Sequence, residues 1–115
     1  MNDFNEKPMD VKVRDMVLRI MERALFYNST KTEQCLTGKK PTFFVHFEGH
    51  VASLDVDIHK NGWTSKDDPE EFMIYLTERG GYTGTADEIQ DKLISVLKRM
   101  EEVYKEWYDE EFENE

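Results

Sequence analysis

Residues 42–63 read TFFVHFEGHVASLDVDIHKNGW, and the alternation within this stretch decides the fold. Ala52, Leu54, Val56 and Ile58 alternate with Ser53, Asp55, Asp57 and His59, the period-2 pattern of a strand with one dry and one wet face. The run before it sets Phe43, Val45 and Phe47 on one side and Phe44, His46 and Glu48 on the other. A turn at Gly49-His50 pairs Phe47 with Ala52, Val45 with Leu54 and Phe43 with Val56. A turn at Glu48-Gly49 changes the partners and keeps the same faces together. The apolar set is the expected core face, and Phe44, His46, Glu48, Ser53, Asp55, Asp57 and His59 are the expected outer face.

Working outward, Asn61-Gly62 is a turn signal, because both residues tolerate positive φ. A third strand follows, with Phe72, Ile74 and Leu76 alternating against Met73, Tyr75 and Thr77. Three strands form an antiparallel meander that needs helices over one face. Before the hairpin, Val13, Met16, Val17, Ile20, Met21, Ala24 and Tyr27 recur at helical spacing, and Asp10 is a suitable N-cap. Residues 28–41 read as a connecting loop with a short turn of structure around Cys35 and Leu36. After the Gly80, Gly81 and Gly84 break, Thr85 and Glu88 make a capping box. It opens a helix from residue 86 to about 110, carrying Ile89, Leu93, Val96, Leu97, Met100, Val103, Tyr104 and Trp107. About 37 Å of helix exceeds a strand of about 20 Å, so Val103 and Trp107 are expected to overhang the sheet. That overhang meets either the first helix or a second chain. Residues 1–9 and 111–115 read as disordered ends of a single domain spanning 1–115.

The 115 residues carry a net charge of −10, distributed as +2 over residues 1–40, −5 over 41–83 and −7 over 84–115. Such a surface repels phosphate, which argues against direct nucleic-acid or anionic-membrane binding and favours a basic protein partner. A single cysteine, Cys35, allows no internal disulfide and no thiolate metal framework. There is no run of membrane-span length and no signal-peptide pattern, so a cytoplasmic location is expected. The GGYTG glycines lack the lysine of a phosphate-binding loop. DDPEE at 67–71 lacks the glycine and the ligand rhythm of a calcium loop.

Two imidazoles and two carboxylates share the outer face, which raises metal binding or acid–base chemistry through His46, Asp55 and His59. Residues alternating along one strand lie about 7 Å apart, so Asp55, Asp57 and His59 cannot converge on one ion, although His46 can meet Asp55 across the strands. Ordinary cross-strand polar pairs account for the same pattern. The acids also admit a nucleic-acid mimic that inhibits a basic host protein, against plain surface solvation. No catalytic, cofactor or metal site follows from the sequence.

The stretch FEGHVASLDVDIHKNGW, with Gly49-His50-Val51, the Leu54, Val56, Ile58 alternation and Asn61-Gly62-Trp63, resembles small uncharacterised proteins encoded by phages and prophages of Gram-positive bacteria. The resemblance covers the hairpin and the helix–strands–helix order around it. Acidic phage inhibitors of type II CRISPR nucleases are similar in size, charge and element order, and no functional residue is carried over from them. The expectation is an α+β domain: an N-terminal helix, a three-stranded antiparallel meander and a long C-terminal helix, with both helices on one sheet face. The leading function is a non-enzymatic protein-binding or accessory module of phage origin, homodimeric through the C-terminal helix. Its expected interaction residues are Phe44, His46, Asp55, Asp57, His59, Tyr75, Val103 and Trp107.

Overall fold

Asp10 starts the first helix as expected: its Oδ1 accepts the orphan amides of Lys12 at 2.9 Å and Val13 at 3.3 Å. In the computed structural model, which describes residues 9–63, 68–77 and 84–113, this helix is α1 (Val11–Asn28). There follow α2 (Thr32–Thr37), β1 (Thr42–Glu48), β2 (Ser53–His59), β3 (Glu70–Tyr75) and α3 (Ala86–Glu113). The strands form one antiparallel sheet in the order β1-β2-β3. The chain is α+β, and its core joins α1 and α3 to Phe43, Leu54, Val56, Ile58 and Ile74 on one sheet face. No described helix is long and apolar enough to cross a membrane.

The hairpin register differs from the tight-turn expectation by two residues. Phe43 pairs with Ile58, Val45 with Val56 and Phe47 with Leu54, leaving residues 49–52 as a four-residue loop. Ala52 leaves the strand at φ 51°, and its carbonyl accepts the Leu76 amide at 2.8 Å. An even shift preserves the faces, which is why the apolar pattern could not detect it. Burial along β1 is graded instead of uniform: Phe43 is 2 % exposed and Phe47 50 % exposed. Only the first half of β1 lies under helix. There the Asn28 side chain, at the end of α1, caps the strand edge: its Nδ2 donates to the Phe43 carbonyl at 2.6 Å and its Oδ1 accepts the Phe43 amide at 3.1 Å.

The Thr85–Glu88 box is formed, with the Glu88 amide 3.3 Å from the Thr85 hydroxyl and the Thr85 amide 3.4 Å from the Glu88 carboxylate. At its other end α3 continues past the expected stop at 110 to Glu113. The disorder expected for 111–115 is therefore corrected for 111–113, and 114–115 lie outside the described residues. Contacts from Lys31, the N-cap residue just before α2, hold this last turn. Lys31 pairs with Glu111 at 3.2 Å and lies over the Phe112 ring at 4.8 Å, while Phe112 stacks beside Tyr108 at 4.5 Å.

Gly62 closes the β2 turn against α2. Its φ is +89°, and a Cβ there would stand 2.6 Å from the Gly38 Cα and 3.1 Å from the Cys35 carbonyl. The next residue, Trp63, donates its amide to that same Cys35 carbonyl at 2.9 Å. Gly62→Ala is therefore expected to destabilise the fold by about 3 kcal/mol, through positive φ together with a backbone clash. Urea unfolding should show a lower midpoint with an unchanged slope. A midpoint like that of the wild type would mean that this turn does not dock on α2.

Candidate interaction face

The register aligns the outer side chains into cross-strand rows. Thr42 stands opposite His59, Phe44 opposite Asp57, His46 opposite Asp55 and Glu48 opposite Ser53. On the other side of β2, Ser53 faces Tyr75, Asp55 faces Met73 and Asp57 faces Glu71. Six of the eight expected interaction residues, Phe44, His46, Asp55, Asp57, His59 and Tyr75, thus share the face turned away from the helices.

The structure does not gather His46, Asp55 and His59 into one site. His46 and Asp55 are direct partners. His59 lies four residues along β2, about 13 Å from Asp55 at strand rise, and its ring belongs to another cluster. No group of three or more histidine, cysteine, aspartate or glutamate side chains able to hold a metal ion occurs among the described residues. The acid run splits likewise. Asp67 lies outside the described residues, and Glu70 turns to the helix side, where Arg99 holds it through Nε at 2.9 Å and Nη2 at 3.0 Å.

The dominant feature of the face was not in the expected list. Trp63, positioned by the hydrogen bond its backbone N–H donates to the Cys35 carbonyl, brings its ring 5.3 Å from Phe44 and 5.8 Å from His59, and Phe44 and His59 meet edge-on at 5.2 Å. Phe44, Trp63 and, further along, Met73 are all exposed large side chains. The sequence carried a hint in Asn-Gly-Trp directly after the strand, but the folding back of that tryptophan depends on α2, which is distant in sequence. Glu48, Asp55, Asp57 and Glu71 share the face, and none of the three strands contains a lysine or arginine. Within this layer the Asp55 Oδ1 and Ser53 Oγ are buried without a hydrogen-bond partner.

Val103 and Trp107, the other two expected interaction residues, are corrected: both are buried inside the chain. The overhang of α3 is covered by the end of α1 and by the segment between α2 and β1. Tyr27 stacks on Tyr104 at 4.1 Å with 17° between planes, and Tyr104 lies 5.4 Å from Trp107. Lys40 reaches over the Trp107 ring, its Nζ 5.2 Å from the centroid. A dimer built on this stripe would have to unpack the monomer.

Lys40 is the least expected residue here, since it is 0 % exposed whereas Lys39 beside it is exposed. Its ammonium donates to the Thr30 carbonyl and to the Thr30 Oγ1 at 3.0 Å. Burial lowers its pKa from the ordinary 10.5; the nearby Lys31 also lowers it, and Cys35 and Glu33 oppose. A lysine depressed in the folded state binds its proton more weakly than in the unfolded chain. The cost of charging it is fully present below the folded-state pKa and disappears as pH rises to the unfolded value near 10.5. Wild-type stability therefore gains over that alkaline window relative to Lys40→Met, which keeps the stem on Trp107 and removes the charge. Denaturant midpoints of the two proteins, followed toward pH 10.5, should converge in the wild type's favour. Parallel curves would show that Lys40 is not charged in a dry site. The chain matches no protein-family model, no curated protein and no solved structure.

Proposed function

We propose that this chain is a protein-binding module that takes a basic, arginine- or lysine-bearing segment on its open sheet face. The observation that carries this reading is the composition of that face: exposed Phe44 and Trp63 with the half-buried His59 ring between them, Asp57 and Glu71 in the row of Phe44, Asp55 one row further on, and three strands without a single lysine or arginine. Aromatic faces attract cations by about 0.5–2 kcal/mol each, and carboxylates next to them supply the counter-charge. Desolvating a guanidinium between Trp63 and Asp57 uses both. The same residues repel an acidic ligand, which agrees with a net charge of −10. His46, Asp55 and His59, spread along the face, serve better as separate contacts than as one reacting centre.

The chain has two tryptophans, Trp63 and Trp107, and only Trp63 is exposed, so its fluorescence reports on the face. An arginine-rich peptide should change that emission, a glutamate-rich peptide of equal length should not, and the response should weaken as salt is raised. Phe44→Ala and Asp57→Asn should each weaken binding, the former by about tenfold, or about 1.4 kcal/mol. Trp63→Phe should remove the signal. Equal responses to the basic and acidic peptides, or none to either, would overturn the reading.

A further inference from the structure

The order β1-β2-β3 leaves β1 at the sheet edge, and the Asn28 cap shows which of its backbone groups turn outward. In an antiparallel pair the N–H and C=O of one residue point to the same side, and that side alternates along the strand. Phe43 gives both of its groups to the Asn28 side chain. The outward set is therefore Phe43, Val45 and Phe47, while Phe44, His46 and Glu48 turn toward β2. The Glu48 carbonyl agrees, since it accepts the Val51 amide at 3.4 Å from within the hairpin loop. Among the described residues, nothing outside the sheet hydrogen-bonds the Val45 or Phe47 amide or carbonyl.

Sheet edges are ordinarily blunted by lysine, proline, a bulge or a covering element. The strand TFFVHFE has no lysine or proline, and it pairs with β2 residue for residue along its whole length, without a bulge. Cover stops at Thr42 and Phe43, which are buried, whereas Phe44, His46 and Phe47 are exposed. The open part of this edge, residues 45–48, thus lies next to Phe44 of the aromatic cluster. It shows an exposed ring on each side of the sheet, Phe44 on the outer face and Phe47 on the helix side.

A strand added here alternates as β1 does. Its residues opposite Val45 and Phe47 share the helix-side face, where Phe47 is an apolar neighbour. Those opposite Phe44, His46 and Glu48 share the outer face, in rows that continue to Asp57, Asp55 and Ser53. Opposite Phe44 a side chain meets a ring with a carboxylate behind it, and opposite Glu48 it meets a carboxylate. Basic side chains suit both positions. A second copy of β1 fits less well, because it sets one acidic face beside another in a chain of net charge −10.

We infer that the partner's basic segment binds as a fourth strand on the free edge of β1 at residues 45–48, with basic side chains on the outer face alternating with apolar ones on the helix side. This rests on the basic-partner reading above and adds the conformation and the residue pattern of the segment. Main-chain bonds supply affinity, and the alternation supplies selection. The Asn28 cap closes the edge at Phe43 and so sets where the added strand stops.

Trp63 fluorescence should show a short peptide alternating arginine and valine binding at least about tenfold tighter than one of the same composition with its arginines and valines in separate blocks. N-methylation of alternate peptide amides should weaken binding about tenfold for one alternate set and little for the other, since only one edge of the added strand faces β1. On the protein, Phe47→Pro removes an outward N–H, which an edge strand tolerates, and should reduce the alternating peptide to the affinity of the block peptide. Equal affinities for the alternating and block peptides would overturn strand addition and leave the basic-partner reading standing. Equal loss from the two methylated sets, or none from either, would overturn it too, whether or not Phe47→Pro folds. Silence toward both peptides would overturn the reading and the inference together. A dimer of the chain alone in light scattering, dissolved by Phe47→Pro, would put a second copy on this edge and overturn the inference.

Discussion

Leu54, Val56 and Ile58 sit in the central strand with almost no exposed surface, and that one dry face is what the rest of the molecule serves. Burying each such side chain contributes about 1.5–3 kcal/mol, but a three-stranded meander cannot cover its own face. Two helices must lie on it, and the apolar stripes of α1 and α3 are spaced to do so. Because α3 outruns the strands, its far end needed separate cover. The end of α1 and the residues flanking α2 provide that cover, through Tyr27 on Tyr104, Lys31 on Glu111 and Lys40 over Trp107.

The cover has consequences on both sides of the sheet. On the helix side, the Cys35 carbonyl, Lys40 and Lys31 tie α2 and the residues on either side of it to Trp63, Trp107 and Glu111 in turn. On the open side, the bond to Trp63 swings an indole onto Phe44 and His59. The same docking that seals the core thus builds the aromatic cluster on the outer face. Strain is concentrated here too, since Lys31 holds φ 49° at the start of α2 and Gly62 tolerates no Cβ beneath it.

Much of the candidate face was legible before folding was considered. Alternation alone put Phe44, His46, Asp55, Asp57, His59 and Tyr75 on one side, since strand parity is a local property that survives a register error. Trp63 was not legible, because its direction depends on a hydrogen bond to a residue 28 positions earlier. The reverse error concerned Val103 and Trp107. A helix longer than its sheet looked like surface, and the polar segment 28–41 gave no sign that it would fold over that surface. Helical phase alone put Val13, Met16, Ile20, Ala24 and Tyr27 on the core face of α1 and left Val11, Leu18 and Leu25 opposite it, where the structure has them exposed.

The sequence by itself determined the two long helices and their starts, the three strands, their order and the facing of each strand, because capping and periodicity act over a few residues. Residues 32–37, read as part of a connecting loop, form α2. Tertiary structure decided the hairpin register, the length of α3, the burial of Lys40 over Trp107, and which aromatic rings reach solvent. Those depend on where a polar connection docks, and that is set by the space left above α3 once both helices lie on the sheet. The chemistry of residues 28–41 alone does not specify it.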